Sequence, residues 1–230
     1  MSENRENQYV IVNSHTNEAW YPHGARRLER SLIQQGSTAH HLFLSGFQSE
    51  SYDKSCPYNI KADALELAID KGYRKIIWND CSHWYTKSPN KIWDIVDTDG
   101  YFFWRSGWNC AQTSTDKQLE YFGISRDEAE QIHECSSSIA CFNLDNPIGN
   151  KALEMWIKSA KDGMFKGSRE HDINDSKDPR FLFGRQDQSC LSLIIHKVGA
   201  SFRDEKIVVY KEDKDQSEYT ILMQGGYYEL

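Results

Sequence analysis

The sequence predicts an α/β protein: a three-layer α/β/α sandwich around a mixed, largely parallel central sheet, in one domain over residues 1–230. Three observations carry this. Apolar runs and amphipathic segments alternate strand–helix–strand–helix–strand early in the chain, the order that builds parallel sheets with helices on both faces. The amphipathic segments open at Ser, Asn or Pro and stop at Gly, so their ends are chemically marked. One apolar run, Lys75-Ile76-Ile77-Trp78-Asn79, ends abruptly in Asp80. Open α/β sheets place ligand chemistry at such carboxyl strand ends.

After a polar N-terminal tail (1–8), residues 9–13 are β-branched and apolar and read as the first strand. Residues 24–35 read as a helix with Leu28, Leu32 and Ile33 on one face and Gly36 as its stop. A strand follows at 41–44, then a helix over 60–71 whose buried stripe is Leu65, Ala68 and Ile69, ended by Gly72. The 75–79 strand comes next. Ser88-Pro89 opens a helix over 91–96 with Ile92, Trp93 and Val96 inward. A strand at 100–104 precedes two short helices, the second with Ser125 and Glu128 at capping-box spacing.

Residues 138–144 read as a strand, and Asn146-Pro147 caps a helix to about 161. Residues 163–184 are polar and aperiodic, which predicts a mobile active-site loop; unstructured stretches beyond about 15 residues in compact domains are usually functional. A last helix is expected over 186–198, with Leu191, Ile194 and Ile195 buried, and strands at 207–210 and 219–223 within a C-terminal segment, 201–230.

Hydrophobic content of 39% and charged content of 27% in 230 residues allow a sizeable core. No apolar run approaches the roughly 18 residues of a membrane span, so no membrane insertion is expected. The polar start Met1-Ser2-Glu3-Asn4-Arg5 lacks the apolar stretch of a secretory signal, which makes the cytoplasm the expected compartment. A net charge of −7 argues against a general nucleic-acid binder. Arg26, Arg27 and Arg30 read as a solvated helix face.

The six cysteines form no C-x-x-C pair and read as reduced thiols. A zinc site drawn from Cys81, His83, His133 and Cys135 lacks paired ligand knuckles. No strand is followed by G-x-G-x-x-G or G-x-x-x-x-G-K-[ST], which excludes the usual dinucleotide and P-loop sites.

Three pieces draw chemical attention. They are Asp80-Cys81-Ser82 at its strand end, Lys61 at the start of the helix leading to that strand, and Arg185-Gln186-Asp187-Gln188-Ser189 at the opening of the last helix. An ammonium such as Lys61 is a good point charge for phosphate. An acid such as Asp187 can deprotonate a hydroxyl or stabilise a cationic transition state. The same acid also complements the helix dipole, worth about 0.3–1 kcal/mol.

Set in order with Pro57-Tyr58-Asn59-Ile60-Lys61, Tyr101-Phe102-Phe103-Trp104, Trp108-Asn109-Cys110 and Ala140-Cys141-Phe142-Asn143-Leu144-Asp145-Asn146-Pro147, these pieces resemble nucleotide-sugar glycosyltransferases of the GT-A fold. They are most similar to small glycosyltransferase-like proteins of viral and environmental sequences, which for a viral chain means the host cytoplasm. The resemblance covers roughly residues 9–200, and order and spacing carry it rather than any single motif.

It implies transfer of a hexose or pentose from a nucleoside diphosphate sugar to an acceptor hydroxyl. In that fold a D-x-D motif holds manganese or magnesium on the donor diphosphate, where the ion acts as a Lewis acid. Here Asp80 takes the metal position and Ser82 replaces the second acid. Asn13 and Ser14 fall where the nucleotide pocket begins. Asp187 is implied at the transferring sugar, with Arg185 on the diphosphate, Gln188 on the sugar, and Trp104 and Trp108 as a sugar or acceptor platform.

The acceptor stays open among glycan, small molecule, protein and modified DNA base. The incomplete D-x-D also fits a non-catalytic nucleotide-sugar-binding protein on the same fold. A nucleotidyltransferase needs a Gly- and Lys/Arg-rich loop after the first strand, which Asn13-Ser14-His15-Thr16-Asn17 lacks.

Overall fold

A computed structural model describes residues 8–167, 175–203, 206–211 and 220–225, apart from the Met223 side chain. The central sheet has the order β2-β1-β3-β6-β5, built from β1 (Tyr9–His15), β2 (His40–Ser45), β3 (Lys75–Asn79), β5 (Tyr101–Asn109) and β6 (His133–Asn143). β1 runs parallel to β2 and β3, whereas β6 is antiparallel to both β3 and β5. The sheet is therefore mixed, with its parallel half in the early strands. Strand β6 lies between β3 and β5, an arrangement local pattern does not encode. A second sheet, β4-β8-β7, joins β4 (His83–Tyr85) to β7 (Val208–Tyr210) and β8 (Leu222–Gln224).

Alternation along the strands makes two cores. Val10, Val12, Ile76, Trp78, Ala140 and Phe142 face one side and pack on α2 (Asn59–Asp70), α7 (Pro147–Lys161) and α8 (Gln186–Val198) through Leu65, Leu153, Trp156 and Leu191. Tyr9, Ile11, Ile77, Ile139 and Cys141 face the other side. They pack on α1 (Tyr21–Gln34) and α3 (Asn90–Asp99) through Leu28, Leu32, Ile92 and Val96, and on the small sheet through Tyr85 and Leu222. Each large side chain buried this way contributes about 1.5–3 kcal/mol. This is the expected three-layer sandwich.

Helix ends follow side-chain chemistry. Asn146 Oδ1 accepts from Ile148 and Gly149 N–H at 2.9 and 3.2 Å and starts α7. Three short helices, α4 (Cys110–Thr113), α5 (Asp116–Phe122) and α6 (Arg126–Glu130), fill the stretch where two were expected. Full capping boxes form at Asn109/Gln112 and Thr115/Gln118. At Ser125 the Glu128 N–H donates to the hydroxyl at 3.1 Å, while the Glu128 carboxylate faces His196 at 3.2 Å.

The cysteines, read from the sequence as reduced thiols, are free, and all six are buried. Arg27 departs from the expected solvated face. It is buried with its guanidinium 4.4 Å from the Trp84 ring centroid, donating to the Cys81 carbonyl. Of the loop expected to be mobile over 163–184, residues 168–174 lie outside the described residues. Its later part is tied down: Leu182 and Phe183 N–H both donate to the Gln112 carbonyl, at 2.9 and 3.3 Å. Tyr219 and residues 1–7 of the expected tail also lie outside the described residues.

Candidate functional site

The first turn of α2 carries Lys61, a cation at the end of a helix whose dipole disfavours one. Its side chain is buried, and two carboxylates explain why this is tolerated. Lys61 Nζ lies 3.1 Å from Asp80 Oδ1 and 2.9 Å from Asp187 Oδ2. It also donates to the Ser137 carbonyl at 3.1 Å and the Ser137 hydroxyl at 3.2 Å. Burial opposes the charged ammonium, but the two carboxylates outweigh it and hold the Lys61 pKa above the ordinary lysine value.

Asp80 ends β3, and its N–H donates to the Ser138 carbonyl at 2.8 Å. Its Oδ1 accepts from Trp78 Nε1 at 2.8 Å. Burial raises its pKa, with Lys61 pulling the other way. Its side chain keeps 32% of its surface.

Asp187 sits in the first turn of α8, where a carboxylate suits the helix dipole. Its carbonyl accepts from Trp156 Nε1 at 2.9 Å. Its Oδ2 meets the Lys61 ammonium off the hydrogen-bond direction and has no aligned donor among the described residues. Gln186, one residue before, adopts φ +31°, strained for a residue with a Cβ. The Gln118 amide holds it there, donating to the Gln186 and Met164 carbonyls at 2.8 and 2.9 Å.

These side chains form a wall between two cavities. One, of about 250 Å³, is lined by Ser14, His15, Trp20, Tyr21, Tyr58, Trp78 and Ser82. The other, of about 200 Å³, is polar, lined by Ser106, Ser136, Ser137, Ser138, Arg185, Gln186, Asp187, Gln188 and Gln224, with Trp108 and Tyr210 among them. Lys61, Asp80 and Tyr58 line both. The serines reach the second cavity because β6 slips register: Phe103 pairs with Ala140 but Trp104 with Ser136. Such bulges re-aim side chains beside sites.

The fold thus brings Ser14, Lys61, Asp80, Ser82, Arg185, Asp187 and Gln188 to the two cavities. Gln188 Oε1 also accepts from Ser137 N–H at 3.3 Å. Asn13 does not line them; it is fully buried beneath, donating to the Asn79 carbonyl at 2.7 Å. Trp104 stands behind the polar cavity, its ring 5.4 Å from that of Tyr210. Trp108, not Trp104, lines the cavity, 38% exposed.

Sequence reading missed Trp20, Tyr58, Ser136 and Glu134. Three consecutive serines in β6, just before the apolar Ile139-Ala140-Cys141-Phe142, were the available signal for Ser136. Glu134 is fully buried, accepts from Ser106 Oγ at 2.5 Å, and has its pKa raised by burial.

The donor set fits a divalent cation poorly. Asp80 Oδ1 is already engaged by the Trp78 indole and the Lys61 ammonium, and position 82 offers a hydroxyl. His83 is buried against Asn79 at 3.1 Å, and burial lowers its pKa to about 3. Among the described residues no three His, Cys, Asp or Glu side chains are grouped to hold a metal.

No family model and no curated protein sequence matches the chain. Solved structures do. The bifunctional glycosyltransferase WbbM is similar with a TM-score of 0.53 at 11% identity, over 91% of this chain and 41% of that one. The galactosyltransferase LgtC, solved with donor and acceptor sugar analogs, has a TM-score of 0.49 at 11% identity, over 94% of this chain and 86% of that one. Mouse xyloside xylosyltransferase 1 has 0.47 at 13% identity, over 85% and 84%. The chain spans about two fifths of WbbM's length, and at 11% identity that likeness shows fold alone. No helix among the described residues is long and apolar enough to cross a membrane. The architecture is that of the GT-A glycosyltransferase fold.

Proposed function

We propose that the protein transfers a sugar from a nucleoside diphosphate sugar to an acceptor hydroxyl. The observation that carries this reading is the Lys61–Asp80 wall, shared by an aromatic cavity and a polar one, with Asp187 beside it. A nucleotide sugar has matching parts. Its base and ribose suit the aromatic cavity, where Trp20, Tyr21 and Tyr58 offer faces for stacking. Its sugar suits the hydroxyl- and amide-lined cavity, and its diphosphate lies between them, near Lys61 and Arg185.

In the reaction the bond from the anomeric carbon to the diphosphate oxygen breaks, and the acceptor oxygen bonds to that carbon. The acceptor proton passes to a base, a role this reading gives to the Asp187 carboxylate. The nucleoside diphosphate leaves with the bonding pair, stabilised by Lys61 and Arg185. Gln188 hydrogen-bonds sugar hydroxyls, and Trp108 flanks the acceptor.

A thermal-stabilisation screen of nucleotide sugars, followed by an assay of nucleoside diphosphate release, tests the reading. At least one nucleotide sugar should raise the melting temperature and release its nucleoside diphosphate. Stabilisation without release reduces the protein to a nucleotide-sugar binder. Neither effect across the panel overturns the proposal.

A further inference from the structure

Building on the nucleotide-sugar reading, we infer that the site holds the donor diphosphate without a divalent metal, using the Lys61 ammonium held between Asp80 and Asp187 together with the Arg185 guanidinium. Three independent observations lead there.

The first is position. Lys61 Nζ lies within 3.1 Å of a carboxylate oxygen on each side, so a cation already bridges Asp80, which lines both cavities, and Asp187, which lines the polar one. A divalent ion on Asp80 would stand beside this ammonium and be repelled by it.

The second is the donor set. A hard divalent ion wants several oxygen ligands. Asp80 Oδ1 already receives the Trp78 indole N–H at 2.8 Å. Ser82 lines the aromatic cavity with a hydroxyl. Asp187, the other acid at hand, has the Lys61 ammonium at 2.9 Å.

The third is a second cation at the cavity, which faces the buried Glu134 but is in no close ion pair among the described residues. Arg185 lines the polar cavity with Lys61, and its guanidinium carbon stacks 5.1 Å from the Phe183 ring centroid. Its Nε is buried without a hydrogen-bond acceptor among the described residues. A guanidinium offers planar, paired donors suited to phosphate oxygens. Arg185 and Lys61 thus both present donors to a departing diphosphate in this cavity, Lys61 with its charge already shared by Asp80 and Asp187.

Two measurements test this on the full chain. Manganese alone, titrated into EDTA-stripped and desalted protein and followed by loss of its free-ion electron paramagnetic resonance signal, should show no binding below millimolar concentration. Micromolar binding that Asp80→Asn removes overturns the inference. Calorimetry with uridine, guanosine, adenosine and cytidine diphosphates is then run in EDTA and again in manganese. At least one should bind with affinities equal within about twofold in the two buffers. Arg185→Met and Lys61→Met should each weaken that binding at least tenfold.

Arg185 forms no close ion pair among the described residues and only faces Glu134 electrostatically, so Arg185→Met serves even if Lys61→Met fails to fold. Binding that requires manganese, or gains more than tenfold from it, overturns the inference and leaves the nucleotide-sugar reading intact. Binding that Arg185→Met leaves unchanged also overturns it. No binding of any nucleoside diphosphate in either buffer overturns the nucleotide-sugar reading itself, and the inference with it.

Discussion

Asp187, in the first turn of α8, places its Oδ2 2.9 Å from Lys61 Nζ in the first turn of α2. The pair joins two helices that pack on the same face of the sheet. It also explains two otherwise costly features: a cation at a helix start and a buried carboxylate. Lys61 also contacts Asp80 and Ser137, so it sets the relative position of all three functional elements.

The carboxylate of Asp187 is separable from its packing. Asp187→Asn keeps shape and should leave nucleotide-sugar affinity within a few-fold, while turnover falls at least about a hundredfold. Calorimetric affinity compared with steady-state kcat decides this. An unchanged kcat removes Asp187 from the chemistry.

Removing the ammonium leaves two acids facing each other. Lys61→Met should destabilise the fold by about 3–5 kcal/mol, the usual cost of breaking a buried ion pair from one side. Adding Asp187→Asn to Lys61→Met should recover part of that loss, because a neutral amide no longer needs the cation. Urea unfolding of the single and double variants measures both. Strict additivity would show that the pair is not coupled.

His83 predicts an acid-side loss of stability. Its folded pKa is lowered to about 3 by burial, with Gln224 opposing, against an ordinary value of 6.5. Between these values the unfolded chain binds a proton that the folded chain refuses. Stability therefore falls as pH drops through that window, by up to about 1.4 kcal/mol per pH unit. His83→Gln should flatten the slope of unfolding free energy between about pH 6 and 4. An identical slope rules His83 out as its source.

Gly24 lies in α1 against the wall of the aromatic cavity. A Cβ there would meet the Cys81 carbonyl oxygen at 2.5 Å and the Trp20 ring at 2.6 Å. The backbone oxygen cannot swing away, so Gly24→Ala should shift Trp20 or the Cys81 turn and weaken nucleotide binding at least about tenfold, within the range of a lost base stack. Trp20→Ala should weaken it similarly. Nucleoside diphosphate titrations of both variants test the link, and unaltered affinity in Trp20→Ala would show that the base lies elsewhere.

Much of the fold was legible because its signals are local. β3 falls at Lys75–Asn79 and α8 at Gln186–Val198, as expected. An apolar run bounded by charge, and an amphipathic run closed by Gly199, are marked within a few residues of themselves. β6 was read too short. Its Ser136-Ser137-Ser138 stretch is polar, and only tertiary contacts with Gln188, Asp80 and Lys61 make it strand. Sequence alone sets Trp104 and Trp108 side by side; the register slip between Arg105 and Asn109 accompanies the arrangement in which Trp108 lines the cavity.

By itself, then, the sequence determined the α/β class, most helix and strand positions, and the identities of Asp80, Lys61, Arg185 and Asp187 as chemically notable. Periodicity and capping act over one or two turns, so a reader of residues can recover them. The tertiary structure decided that β6 inserts antiparallel beside β3, that two cavities share one wall, and that an ammonium bridges the two acids. Ion pairs act through space, between residues as distant in sequence as Lys61 and Asp187, and a side chain's partner follows from where the packed layers bring its tip.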